Sequence, residues 1–102
     1  MKSNQEKIFP ATYIMQMTDE DSGVQYSAFM TVNAFTSIEA VKEGAKVLAQ
    51  SFLKDRGAKN ASVAVELTID NPDGEFAEQT VLKFAYKNEI MTLLESQKKG
   101  EG

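Results

Sequence analysis

Cysteine and histidine are both missing from this chain. Without cysteine there is no disulfide and no thiolate nucleophile. Without histidine the commonest general base is gone, and a transition metal would have only carboxylates to hold it. Arginine occurs once, at Arg56, and the formal charge is −4. Bidentate reading of phosphates and guanines draws heavily on arginine, and an acidic balance opposes the electrostatic attraction that dominates nucleic-acid affinity. Nucleic acid is therefore not an expected partner. No apolar run approaches the ~18 residues of a membrane span, and the stretch Met1–Lys7 has no apolar signal core. A cytoplasmic protein that does not engage a membrane is expected. Neither a Gly-x-Ser-x-Gly elbow nor a phosphate-cradling Gly-x-x-x-x-Gly-Lys loop occurs. The expectation is no enzyme: no catalytic residue, no cofactor and no metal.

What is present describes one small globular domain. The 102 residues are 42% hydrophobic and 25% charged, ordinary values for such a domain. Its organising stretch is Ser37–Arg56. Ile38, Val41, Ala45, Leu48, Ala49 and Phe52 recur at spacings of three and four, which predicts an amphipathic helix. Thr36 with Glu39 three residues on forms a candidate capping box, and Gly57 supplies a left-handed stop. Gly44 lies inside the helix. Either it lets the helix approach a strand closely or it is a tolerated surface glycine. Lys42, Lys46 and Lys54 share the outer face with Glu39 and Glu43, the pattern of a salt-bridged surface.

Strands flank this helix. Phe9, Ala11, Tyr13, Met15 and Met17 alternate with Thr12, Ile14, Gln16 and Thr18. After a turn at Asp19–Gly23, Val24, Tyr26, Ala28, Met30, Val32 and Ala34 alternate with Gln25, Ser27, Phe29, Thr31 and Asn33. Pairing Met17 with Val24 puts both apolar rows on one face. Beyond the helix, Val63, Val65, Leu67 and Ile69 form the third apolar row. Thr80, Leu82, Phe84 and Tyr86 form the fourth, after a turn at Asn71–Gly74. A three-residue loop there would turn the wrong row of the fourth strand inward, so a bulge is expected between Phe76 and Gln79. Asn88 reads as the cap of a short final helix carrying Ile90, Met91, Leu93 and Leu94 on one side.

The expected fold is α+β, β-β-α-β-β-α. A four-stranded, mainly antiparallel sheet carries one long helix (37–56) on one face, with a short C-terminal helix (88–97). Residues 1–7 and 98–102 are expected to be flexible ends of a single domain over 8–97. Strand orders 2-1-3-4 and 1-2-4-3 both keep every neighbour antiparallel, the commoner arrangement.

One helix leaves the second face of such a sheet to be explained. That face holds Ile14, Phe29 and Val81 among polar residues. The final helix could cover it, a second copy could, or these could be scattered surface apolar side chains. The favoured function is a non-enzymatic interaction module that self-associates as a homodimer. It would use the open face, or an edge strand together with the final helix, with Ile14, Phe29, Val81, Ile90, Met91 and Leu94 as candidate interface. The first alternative is a small phage or mobile-element accessory protein that binds a host protein through acidic hairpin turns. Its candidate patch is Asp19, Glu20, Asp21, Asp73 and Glu75, with both turns at one end of the sheet. The second alternative is a small-molecule carrier with a pocket lined by Met15, Met17, Met30 and Phe52, although methionine more often serves as core filler.

Overall fold

The computed structural model describes residues 8–70 and 77–98. Its elements are β1 (Phe9–Asp19), β2 (Gln25–Phe35), α1 (Ile38–Asp55), β3 (Asn60–Asp70), β4 (Ala77–Lys87) and β5 (Ile90–Lys98). They form one antiparallel sheet of order β2-β1-β3-β4-β5, with α1 packed on one face. This overturns the expected four strands and two helices. Among the described residues there are five strands, and the final helix over 88–97 is absent: residues 88 and 89 form a turn and the rest belongs to β5. The first four strands follow the order 2-1-3-4, one of the two expected.

The reason lies in the turn before β5. Asn88 and Glu89 both have positive φ, 52° and 68°. They link Lys87 directly to its partner Ile90. Two successive positive φ values are what a two-residue type I′ hairpin requires. Asn88 is thus a turn residue, not a helix cap. Gln50 of α1 donates to the Glu89 carbonyl at 3.3 Å and ties the turn to the helix. Asparagine tolerates the left-handed region, whereas glutamate there is strained. Glu89→Gly is expected to raise stability by about 1 kcal/mol, seen as a higher urea midpoint at unchanged slope.

β3 and β4 pair without interruption from Asp70↔Ala77 to Asn60↔Lys87. The expected bulge is therefore absent from residues 77–79. The register it was meant to produce is nonetheless there, since Val65 faces Leu82 and Val63 faces Phe84. Phe76 and the turn Asn71–Gly74 lie outside the described residues. So do the expected flexible ends, apart from Lys98, which closes β5. Met17 faces Tyr26 rather than Val24. That slip of two residues keeps the same face inward. Pro10 enters β1 where its ladder to β2 shifts register, between Phe9 and Ala11, a position that tolerates a missing donor.

The helix cap is Ser37, one residue later than expected. Its hydroxyl accepts from the Ala40 amide at 3.1 Å, so the Thr36–Glu39 box does not form. At the other end the Gly57 amide donates to Lys54 O and the Ala58 amide to Leu53 O. With Gly57 at φ 73°, this is a Schellman stop. The inner face of α1 is Val41, Gly44, Ala45, Ala49 and Leu53, all buried. Small residues bring the helix close to the sheet. A Cβ on Gly44 would lie 2.7 Å from Phe35 Cζ and 2.9 Å from Tyr13 Oη. Gly44 is therefore a close-approach glycine. The Tyr13 hydroxyl donates to Val41 O at 2.7 Å, pinning β1 to the helix backbone.

Candidate functional site

The apolar rows of β1, β3 and β4 bury against α1, with Met15 and Met17 among the fully buried side chains. Alternation sends the other row of each strand to the opposite face. Among the described residues no element covers that face. The exposed large apolar residues on it are Phe29 at 70%, Ile14 at 40%, Ile90 at 65% and Leu94 at 65%. Ile14 stands directly opposite Phe29 across β1 and β2, and Glu66 opposite Val81 across β3 and β4. Thr12 and Thr31 approach hydroxyl to hydroxyl at 3.4 Å in the same surface.

Two shallow depressions run along this face. One, of about 190 Å³, is lined by Ile14, Gln16, Ala64, Glu66 and Val81. The other, of about 310 Å³, lies among Gln16, Ser62, Ala64, Lys83 and Leu94. Both follow from the small side chain of Ala64 on β3, set between larger neighbours, with Ser62 beside it in the second.

Five of the six expected interface residues are thus on the open face. The exception is Met91, which is 4% exposed and part of the core. On a helix, residues 90, 91 and 94 would share a side. On a strand, 90 and 91 point to opposite faces. Leu94 reaches the open face through a bulge. Lys83 pairs with Glu95 but Phe84 with Leu93, leaving Leu94 as the extra residue. Leu93 instead lines a groove of about 360 Å³ on the helix side, with Leu82 and Phe84 beneath Lys42 and Lys46. Reading residues 90–94 as helical hid that groove from the sequence. None of these hollows is lined by Met15, Met17, Met30 or Phe52. Phe52 instead packs edge-on against Tyr26 and lies under Arg56, 3.7 Å from its ring centre.

The acidic residues of the first turn are largely engaged within the fold. The Asp19 carboxylate accepts from the amides of Asp21 and Ser22. Asp21 accepts from Asn60 Nδ2 at 3.1 Å. Glu20 accepts from Ser62 Oγ at 2.7 Å and Lys87 Nζ at 2.9 Å. Asp19 lies beside Ala61 and Asp70 beside Ala77, at opposite ends of β3. Asp19 and Asp70, expected at one end of the sheet, are therefore at opposite ends. Asp73 and Glu75 lie outside the described residues. Among the described residues no group of three or more acidic side chains could hold a metal ion, and no helix is long and apolar enough to cross a membrane.

Charge pairing sets the response to pH. Hydrogen bonds from Lys87 and Ser62 hold the Glu20 carboxyl below its ordinary 4.5. Burial pushes Glu78 up, but Lys42 at 3.1 Å and the Thr80 hydroxyl outweigh this and hold it below 4.5 too. Carboxyls lowered in the fold stabilise it above 4.5 and lose that contribution as pH falls further. Burial pushes the Tyr13 hydroxyl from 10.0 up to about 12. A raised group stabilises below its unfolded value, so this contribution drains away as pH climbs from 10 toward 12. No histidine or cysteine titrates in between. The melting temperature is expected to be flat from roughly pH 6 to pH 9 and to fall on both sides. Tyr13→Phe should shorten the alkaline arm, leaving the part due to Tyr86, also raised by burial and by Glu89. A slope within the plateau would contradict this assignment.

The chain matches no protein-family model, no curated protein and no solved structure.

Proposed function

We propose that this protein is a non-enzymatic interaction module that pairs with a second copy of itself through the β2 side of its sheet. The observation that carries the reading is the uncovered face, with Phe29 the most exposed large apolar side chain on it. Scattered apolar residues are normal on any surface. Here Ile14 and Phe29 are direct cross-strand partners on β1 and the edge strand β2. Clustered exposure of this kind marks contact surfaces. Two copies that each carry −4 repel one another, so they would meet where charge is sparse. Sedimentation velocity over a concentration series tests the reading. A reversible monomer–dimer equilibrium is expected, and a monomer at every concentration would reject it.

A further inference from the structure

The side of the sheet that ends in β2 has a feature beyond its exposed face. Among the described residues β2 is an edge strand, joined only to β1. It is also the one strand with no charged residue: β1 has Asp19, β3 Glu66 and Asp70, β4 Glu78, Lys83 and Lys87, and β5 Glu95 and Lys98. Its ladder to β1 is unbroken from Gln25 to Val32, and it contains no proline. Soluble proteins blunt free edges with charges, bulges or proline, because an open edge templates another strand. The opposite edge shows two of these devices: β5 has the bulge at Leu94 and carries Glu95 and Lys98. β2 has none from Gln25 to Val32.

The backbone of β2 is set up for such pairing. The Asp19 amide donates to Val24 O at 2.8 Å, so Val24 turns its carbonyl toward β1. Backbone polar groups alternate in direction along an antiparallel strand. Tyr26, Ala28, Met30 and Val32 therefore bond to β1, while Ser27, Phe29 and Thr31 aim their amides and carbonyls outward. The side chains on both faces of β2 are also incompletely covered. Phe29 stands on the open face, and Tyr26, Met30 and Val32 are only half-buried on the helix face.

Resting on the self-association proposed above, we infer that β2 pairs antiparallel with β2 of a second copy, with the two-fold axis at Phe29. The two sheets then become one continuous sheet. A strand pairs with itself only if its sequence is compatible about that axis. In this register Phe29 meets Phe29, Ser27 meets Thr31, Ala28 meets Met30 and Tyr26 meets Val32. Every pair is uncharged and matched in polarity, and aromatic and β-branched cross-strand pairs are among the stabilising ones. A charged partner would find no counter-charge on this strand. A second copy finds its own complement.

Residue-resolved amide hydrogen exchange on the wild-type chain tests this. On concentration from monomer to dimer, the amides of Ser27, Phe29 and Thr31 should slow about tenfold or more, because each can then exchange only after the edge opens. Thr31→Pro removes one outward donor at a position where an edge strand tolerates proline, and should abolish the dimer. Leu94→Asp, on the same face but at the far edge, should leave it. A dimer whose three edge amides stay fast overturns the pairing while leaving self-association standing. A dimer lost with Leu94→Asp and kept with Thr31→Pro overturns it as well. A monomer throughout overturns both.

Discussion

Gly44→Val is expected to lower stability by about 3 kcal/mol, the largest fall of any single substitution considered. On helix propensity alone, replacing a mid-helix glycine should help, since alanine gains about 1 kcal/mol there. The site reverses the sign. A Cβ would sit 2.7 Å from Phe35 Cζ and 2.9 Å from Tyr13 Oη, and neither neighbour can retreat cheaply. Tyr13 is fully buried and its hydroxyl is held by Val41 O at 2.7 Å. Phe35 packs at the end of β2 beside its partner Phe9. Overpacking of this kind costs roughly 1–3 kcal/mol, and displacing Tyr13 forfeits a buried hydrogen bond worth about 1 more. Gly44→Ala should lose part of this and Gly44→Val most of it. For a domain of this size the fall corresponds to a melting temperature lower by roughly 12–24 °C. Tyr13→Phe in the Gly44→Ala background should recover some of the loss, so the two changes should be non-additive. Gly44→Ala more stable than wild type would show that the helix does not approach the sheet this closely.

The same contacts show which parts of the fold could be read from residue types. β1 through β4 are half-buried on the helix side, so burial imposes a period of two on their sequences, and that period was visible. α1 was visible for the same reason at its own period, although Leu53 was missed because it falls beside the stripe defined by Val41, Ala45, Ala49 and Phe52. β5 was not legible. The bulge at Leu94 breaks its alternation and leaves Ile90, Met91, Leu93 and Leu94 at spacings that also fit a helix face. The turn before it uses Asn88-Glu89, without the glycine that usually advertises a type I′ hairpin. Of the candidate site, Ile14 and Phe29 stood out because they are large apolar residues in rows that are otherwise mainly polar. The lack of charge in β2 carried no message until the strand order was known. In order 2-1-3-4 this strand is an edge, whereas in 1-2-4-3 it is internal, where an uncharged sequence needs no explanation. The choice depends on long-range packing and is not written in any local pattern.

Phe29→Asp is expected to dissociate the proposed dimer while leaving the subunit folded, and that combination separates an interface residue from a core residue. Phe29 is 70% exposed in the single chain, so replacing it removes little buried apolar area. The main cost to folding is the poorer strand preference of aspartate, within about 1 kcal/mol. In the dimer the balance differs. An aromatic side chain at the centre of an interface typically contributes about 2–4 kcal/mol. Its replacement also sets two carboxylates opposite each other across the axis, in a pair of subunits already carrying −4 apiece. A rise in the dissociation constant of roughly 30- to 1000-fold follows, large enough to give a single monomeric boundary in sedimentation. Added salt should recover part of the association by screening the new charges, and Phe29→Leu should recover more, because it restores apolar contact without charge. The urea midpoint of the Phe29→Asp monomer should stay close to that of wild type at the same low concentration. A large fall in that midpoint would move Phe29 into the folding core. An unchanged dimer would take it out of the interface.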